Sequence, residues 1–217
     1  MPKLVLEYVS DFACPWCAIG WHSLKQALDR VGSSIDAAVV FRPFELNPAA
    51  PREGVNIYSY IASRSGMGTE QIAEVWRGIM GRAQAIGYPM DIDAQSRFYN
   101  SFDAHRLVAW AAEQGKARAI YEALLDAHFI TQRDYGSHAV LSQIAGEVGL
   151  DAAAVGVMLA SDAYRDQTER EMIAIRSKGV QAVPTLIPAD GAPKSGSASP
   201  EEYETALRQW SGKALMS

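Results

Sequence analysis

The first apolar run, residues 3–9 (Lys-Leu-Val-Leu-Glu-Tyr-Val), reads as a short, largely buried strand. A helix follows almost at once. Cys17, Trp21, Leu24, Leu28 and Val31 recur at intervals of 4, 3, 4 and 3 residues, which is one helical face. Pro15 stands at the first helical position, where no backbone donor is needed, so Cys14 falls at the N-cap and Cys17 in the first turn. Gly32 ends the helix. Residues 37–42 (Ala-Ala-Val-Val-Phe-Arg) read as a second strand closed by Pro43. Strand, helix and strand within so short a span make a βαβ unit with a right-handed crossover.

From about Tyr58 to Lys178 the period is helical throughout, with no convincing strand. The spacing predicts helices over Glu70–Arg82, Asp103–Gln114, Lys116–Phe129, Ser137–Val148, a short one capped by Asp151, and Tyr164–Lys178. Gly115, Gly149 and Gly179 stop three of them. Strand signals return at Ala182–Ile187, and residues 189–196 read as a turn and a short, poor strand. The last helix opens with Ser199-Pro200-Glu201-Glu202, a capping box with proline at the first helical position, and buries Tyr203, Ala206, Leu207 and Trp210. The order is βαβ, a helical block, then ββα. That predicts an α/β domain formed by residues 1–50 and 180–217, with an all-α domain, residues 51–179, inserted between its halves.

Composition adds exclusions. The 217 residues are 48% apolar and 21% charged, ordinary for a globular chain. The net charge of −5, with scattered basic residues, argues against nucleic acid or an anionic membrane surface as partner. No run approaches the roughly 20 apolar residues of a membrane span. Glu7 interrupts an N-terminal run too short for a secretory signal. A cytoplasmic protein is expected.

The two cysteines are three apart, too few and too close for a disulfide framework. A zinc site needs further ligands, and His22, His105, His128 and His138 form no ligand-like pair, so no metal and no cofactor is expected. Redox chemistry remains. A helix N-terminus surrounds Cys14 with unpaired backbone donors, the setting that favours a nucleophilic thiolate. Cys17, one turn in, is expected to be more buried. Pro15 and Trp16 lie between them, and Trp16 alone of the five tryptophans is expected on a contact surface rather than in a core. Asp11 and Glu7 are candidate proton acceptors near Cys17. The bland alternatives are a turn residue for Asp11 and an exposed edge position for Glu7. His105 and Arg106 begin a helix of the inserted block. They would either face substrate or serve as core and surface residues of a capped helix.

Asp11-Phe12-Ala13-Cys14-Pro15-Trp16-Cys17 followed by Ile19-Gly20 resembles the active-site signature of DsbA-family proteins of the FrnE-like branch. Asn100-Ser101-Phe102-Asp103-Ala104-His105-Arg106-Leu107 looks like that branch's helical-domain motif. Val183-Pro184-Thr185 looks like its cis-proline loop, and Ser195-Gly196-Ser197 with Pro200-Glu201 resembles the end of its last strand and the start of its last helix. The resemblance implies a thioredoxin fold with an inserted α-helical domain. It implies Cys14 as nucleophile, Cys17 as resolving thiol and Pro184 as the cis-proline beside them, with substrate backbone pairing near Val183.

The implied function is a protein thiol–disulfide oxidoreductase, with disulfide isomerase activity as an extension. Its partners would be protein thiols and disulfides, with glutathione a candidate redox partner. A homodimer would give an isomerase a cleft between two sites. The alternatives are a glutathione-dependent transferase or isomerase of a small molecule, and a non-enzymatic binding or chaperone module. Kappa-class glutathione transferases and 2-hydroxychromene-2-carboxylate isomerases resemble this chain in fold. They typically carry serine where Cys14 stands, and an acidic residue where Ala198 stands. Both departures argue against that chemistry.

Overall fold

The computed structural model describes residues 3–189 and 191–214. The chain runs β1 (Leu4–Ser10), α1 (Pro15–Val31), β2 (Ala37–Pro43), β3 (Val55–Asn56), α2 (Ile57–Ser65), α3 (Thr69–Ala85), β4 (Arg97–Phe98), α4 (Phe102–Ala112) and α5 (Ala117–Phe129). It continues through α6 (His138–Glu147), α7 (Ala152–Ala160), α8 (Arg165–Ser177), β5 (Thr185–Pro188), β6 (Lys194–Ser195) and α9 (Pro200–Ala214). It forms two compact units: one of the residues up to Phe44 and from Glu171 onward, the other of Glu45–Arg170.

The first unit is a four-stranded sheet of order β2-β1-β5-β6, flanked by helices. β1 and β2 are parallel, from Leu4 opposite Ala37 to Ser10 opposite Pro43, as the βαβ pattern requires. β5 runs antiparallel to β1, and β6 antiparallel to β5. Alternation along β1 sorts its side chains. Leu4, Leu6 and Tyr8 are buried; the Tyr8 ring lies 5.7 Å from Trp21 of α1, which is 4.9 Å from Phe41 of β2. Val9 belongs to a separate cluster with Phe44, Ile175 and Val180. α9 packs on α1, and its capping box forms as the sequence predicts: Ser199 N–H donates to Glu202 (2.8 Å) and Glu202 N–H to the Ser199 hydroxyl (3.2 Å). Its Trp210 is only half-buried.

The second unit is helical, with a two-stranded ladder of β3 and β4. Asp151 caps α7 by accepting from Ala153 and Ala154 N–H.

Four expectations shift. The β3–β4 ladder stands where the sequence predicts no strand, because two-residue strands have no period to read. α2 has no counterpart among the predicted helices; Asn56 caps it, accepting from Ser59 N–H at 2.9 Å. The strand expected from Ala182 begins at Thr185, since Pro184 brings no backbone donor to a ladder. The units divide after Phe44 and Arg170 rather than at 50 and 179, because Ile175 of α8 belongs to the cluster around Val9. Asp190, within the expected turn, lies outside the described residues.

Candidate functional site

The site is built at the junction of β1 and α1. The Asp11 carbonyl accepts from Cys14 N–H (3.2 Å), and the Asp11 carboxylate accepts from Ala13 N–H (3.3 Å). This turn leaves Cys14 extended, at φ −96° and ψ 112°, as the N-cap of α1 with Pro15 behind it. The Cys14 carbonyl takes up Cys17 N–H at 3.0 Å and Ala18 N–H at 3.4 Å. Its sulfur makes no capping bond and is left at the positive end of the helix. It lies 3.7 Å from the Val183 carbonyl oxygen. The Val183–Pro184 bond is cis, as the resemblance implies.

Both cysteines are free thiols. Cys14 is 4% exposed and Cys17 not at all. Burial pushes the Cys17 thiol well up from its ordinary value. Its hydrogen bond to Cys14, the charge there and the Asp11 carboxylate add to the rise; only the Asp11 backbone N–H opposes it. Asp11 is itself 1% exposed. The two thiols therefore differ in kind: one at a helix N-cap beside a loop carbonyl, the other held neutral one turn deeper.

Three residues with no role assigned from the sequence complete the site. Gly20 follows Cys17 by three residues and lies on its helical face. A β-carbon there would sit 2.8 Å from the Tyr8 hydroxyl, 3.1 Å from Pro184 Cγ and 3.4 Å from the Tyr203 hydroxyl. The Tyr8 hydroxyl donates to the Cys17 carbonyl at 2.8 Å in a fully buried bond. The signal in the sequence is a glycine inside an otherwise periodic helix, which costs about 1 kcal/mol against alanine unless packing requires it.

The other expected site residues fall as follows. Pro15 and Trp16 are half-buried beside Cys14, and Val183 is half-buried next to the buried Pro184. Glu7 is not a partner of Cys17. Its carboxylate is bound by Arg42 (2.9 Å) and Lys178 (2.5 Å). Burial would raise it, but those bonds outweigh burial and hold it below the usual carboxylate range. His105 and Arg106 belong to the second unit. His105 is 6% exposed, so it presents little surface to a substrate. Arg106 as a substrate contact is corrected: it is 1% exposed and committed inside its own unit. It donates to the carbonyls of Met158 (3.1 Å), Ser161 (2.5 Å) and Ala163 (2.7 Å), and pairs with Asp103 at 2.7 Å. His138 binds the same carboxylate at 2.6 Å. Among the described residues no cluster of three His, Cys, Asp or Glu side chains could hold a metal. No helix among them is long and apolar enough to cross a membrane.

The fold matches known proteins. A "probable DsbA oxidoreductase" from Streptomyces coelicolor superposes with a TM-score of 0.90 at 28% identity, covering 96% of this chain and 90% of that one. A 2-hydroxychromene-2-carboxylate isomerase superposes at 0.70 over 98% of this chain and 99% of its own; at 17% identity that likeness speaks for the fold alone. The uncharacterized protein YwbO of Bacillus subtilis (strain 168) is 26% identical over 206 residues, 93% of this chain and 94% of YwbO. Residues 5–208 match the family model of the DSBA-like thioredoxin domain, and the chain belongs to that family.

Proposed function

We propose that the chain is a thiol–disulfide oxidoreductase that exchanges its Cys14–Cys17 pair with protein substrates. In this reading Cys14 is the nucleophile and Cys17 the resolving thiol. Pro184 lies against the reacting sulfurs, and Val183 receives the substrate backbone. Pro15 and Trp16 form the contact surface, and Asp11 takes or returns the Cys17 proton. His105 and Arg106 drop out of the substrate contacts. The observation that carries the reading is the Cys14 sulfur at the N-cap of α1, 3.7 Å from the Val183 carbonyl beside the cis-proline, with Cys17 buried one turn behind. In this reading glutathione is a candidate redox partner, the cytoplasm is the expected location, and a homodimer would serve an isomerase activity.

The test is redox equilibration across glutathione buffers, counting free thiols by mass spectrometry. The expected result is a reversible Cys14–Cys17 disulfide. A potential of about −120 to −200 mV marks an oxidant or isomerase, and about −270 mV a reductant. If no intramolecular disulfide forms at any poise, the reading fails. Turnover of a small molecule with glutathione that survives Cys17→Ala would put the glutathione-dependent reading in its place.

A further inference from the structure

Cys17 can resolve a mixed disulfide only as a thiolate, yet its burial works against that charge. The fold brings two phenol hydroxyls to the turn that carries it. Both approach the bare α-carbon of Gly20, one helical turn beyond Cys17. They are bound differently. The Tyr8 proton is committed to the Cys17 carbonyl at 2.8 Å. Tyr203 is fully buried. Its proton has only a long bond, 3.5 Å, to the Gly196 carbonyl. A buried hydroxyl with so weak an acceptor can reorient at little cost when a better one forms nearby.

Resting on the oxidoreductase reading, we infer that Tyr203 is a positioning residue for the resolving step. Its hydroxyl dipole turns toward charge forming on Cys17, while Tyr8 anchors the backbone of the same turn. Burial pushes the Tyr203 phenol well above its ordinary value, and a charge on Cys17 pushes it further, so it stays protonated and able to donate. The step itself is balanced. The Cys17 thiolate attacks Cys14 Sγ of the Cys14–substrate disulfide. The Cys14–Cys17 bond forms, the bond to the substrate sulfur breaks, and the departing thiolate takes up a proton in place of the one Cys17 gave. The protein dithiol is oxidised and the substrate sulfur reduced.

The test uses the reduced full chain with oxidised glutathione. Quenched samples analysed by mass spectrometry separate formation of the Cys14–glutathione mixed disulfide from its resolution, across a pH series. Tyr203→Phe is expected to slow resolution roughly tenfold near neutrality, about one hydrogen bond to a charged group. It should displace the pH profile of resolution to higher pH and leave formation at Cys14 unchanged. Tyr8→Phe should lower stability without displacing that profile. A Tyr203→Phe protein that resolves with the wild-type rate and pH profile overturns the inference alone. A wild-type protein that never resolves a mixed disulfide overturns the oxidoreductase reading as well.

Discussion

Replacing Gly20 with alanine measures what the close approach behind Cys17 is worth. In an open helix interior this substitution stabilises by about 0.5–1 kcal/mol, because glycine loses more backbone freedom on folding. Gly81 provides that reference: it lies inside α3, and a methyl added there would meet nothing within 4 Å. At Gly20 the methyl would stand 2.8 Å from the Tyr8 hydroxyl and 3.1 Å from Pro184. Tyr8 cannot swing away cheaply, being fully buried with its ring 5.7 Å from Trp21 and 6.5 Å from Phe41. Overpacking costs about 1–3 kcal/mol, and displacing Tyr8 from the Cys17 carbonyl adds about 1 kcal/mol. The net expectation is a loss of roughly 1–3 kcal/mol for Gly20→Ala, against a gain of up to about 1 kcal/mol for Gly81→Ala. Urea unfolding followed by tryptophan fluorescence measures both. Removing the Tyr8 hydroxyl should relieve part of the clash, so Gly20→Ala in a Tyr8→Phe background should cost less than the two changes summed. A Gly20→Ala protein as stable as the wild type would refute the packing argument.

Three further outcomes are expected. Burial pushes the His128 imidazole down from 6.5 to about 3, and its Nε2 finds no hydrogen-bond partner among the described residues. The unfolded chain therefore binds a proton that the folded chain refuses. That stability is complete above about pH 6.5 and declines by about 1.4 kcal/mol per unit as pH falls below it. Glu7 and Asp103, held low by their cationic partners, add their loss only in the more acid range of unfolded carboxylates. His128→Phe should flatten the slope between about pH 5 and 6.5; an unaltered slope in urea midpoints would count against the assignment. Arg106→Met leaves several buried carbonyls without their donor and the Asp103 carboxylate without its guanidinium, and should cost about 3–5 kcal/mol, with the glutathione equilibrium of the cysteine pair unchanged. A stable Arg106→Met protein with weakened substrate binding would return that residue to the substrate contacts. Ser199→Ala should cost about 1 kcal/mol in thermal or urea unfolding, through loss of the α9 cap.

The candidate site was legible where it depended on local rules. Proline at the first helical position, cysteine before it and a stripe of apolar residues after it are short-range features, and the structure places Cys14 and Cys17 accordingly. The capping box at Ser199 was legible for the same reason. Arg106 was not. A charged residue at a helix start reads as exposed, and only the path of the chain through Met158–Ala163 supplies the carbonyl acceptors that let it be buried. Tyr8 and Tyr203 read correctly as buried, but that their hydroxyls meet at Gly20 depends on long-range packing, for which helical and strand periods carry no information.

Strand β1 ties these observations together. Because successive side chains point to opposite faces, Tyr8 and Glu7 cannot serve the same site. Tyr8 reaches α1 and the Cys17 carbonyl, whereas Glu7 turns to Arg42 and Lys178, and Arg42 also pairs with Glu171 at 3.3 Å. A carboxylate four residues before Asp11 thus belongs to the other face of the sheet, and Asp11, beyond the strand, is left as the acid nearest Cys17 by bonding and charge. Changes on the Glu7 face should therefore move acid stability and leave thiol exchange alone. The single-residue alternation that buries Leu4, Leu6 and Tyr8 also decides which polar groups can take part in the chemistry.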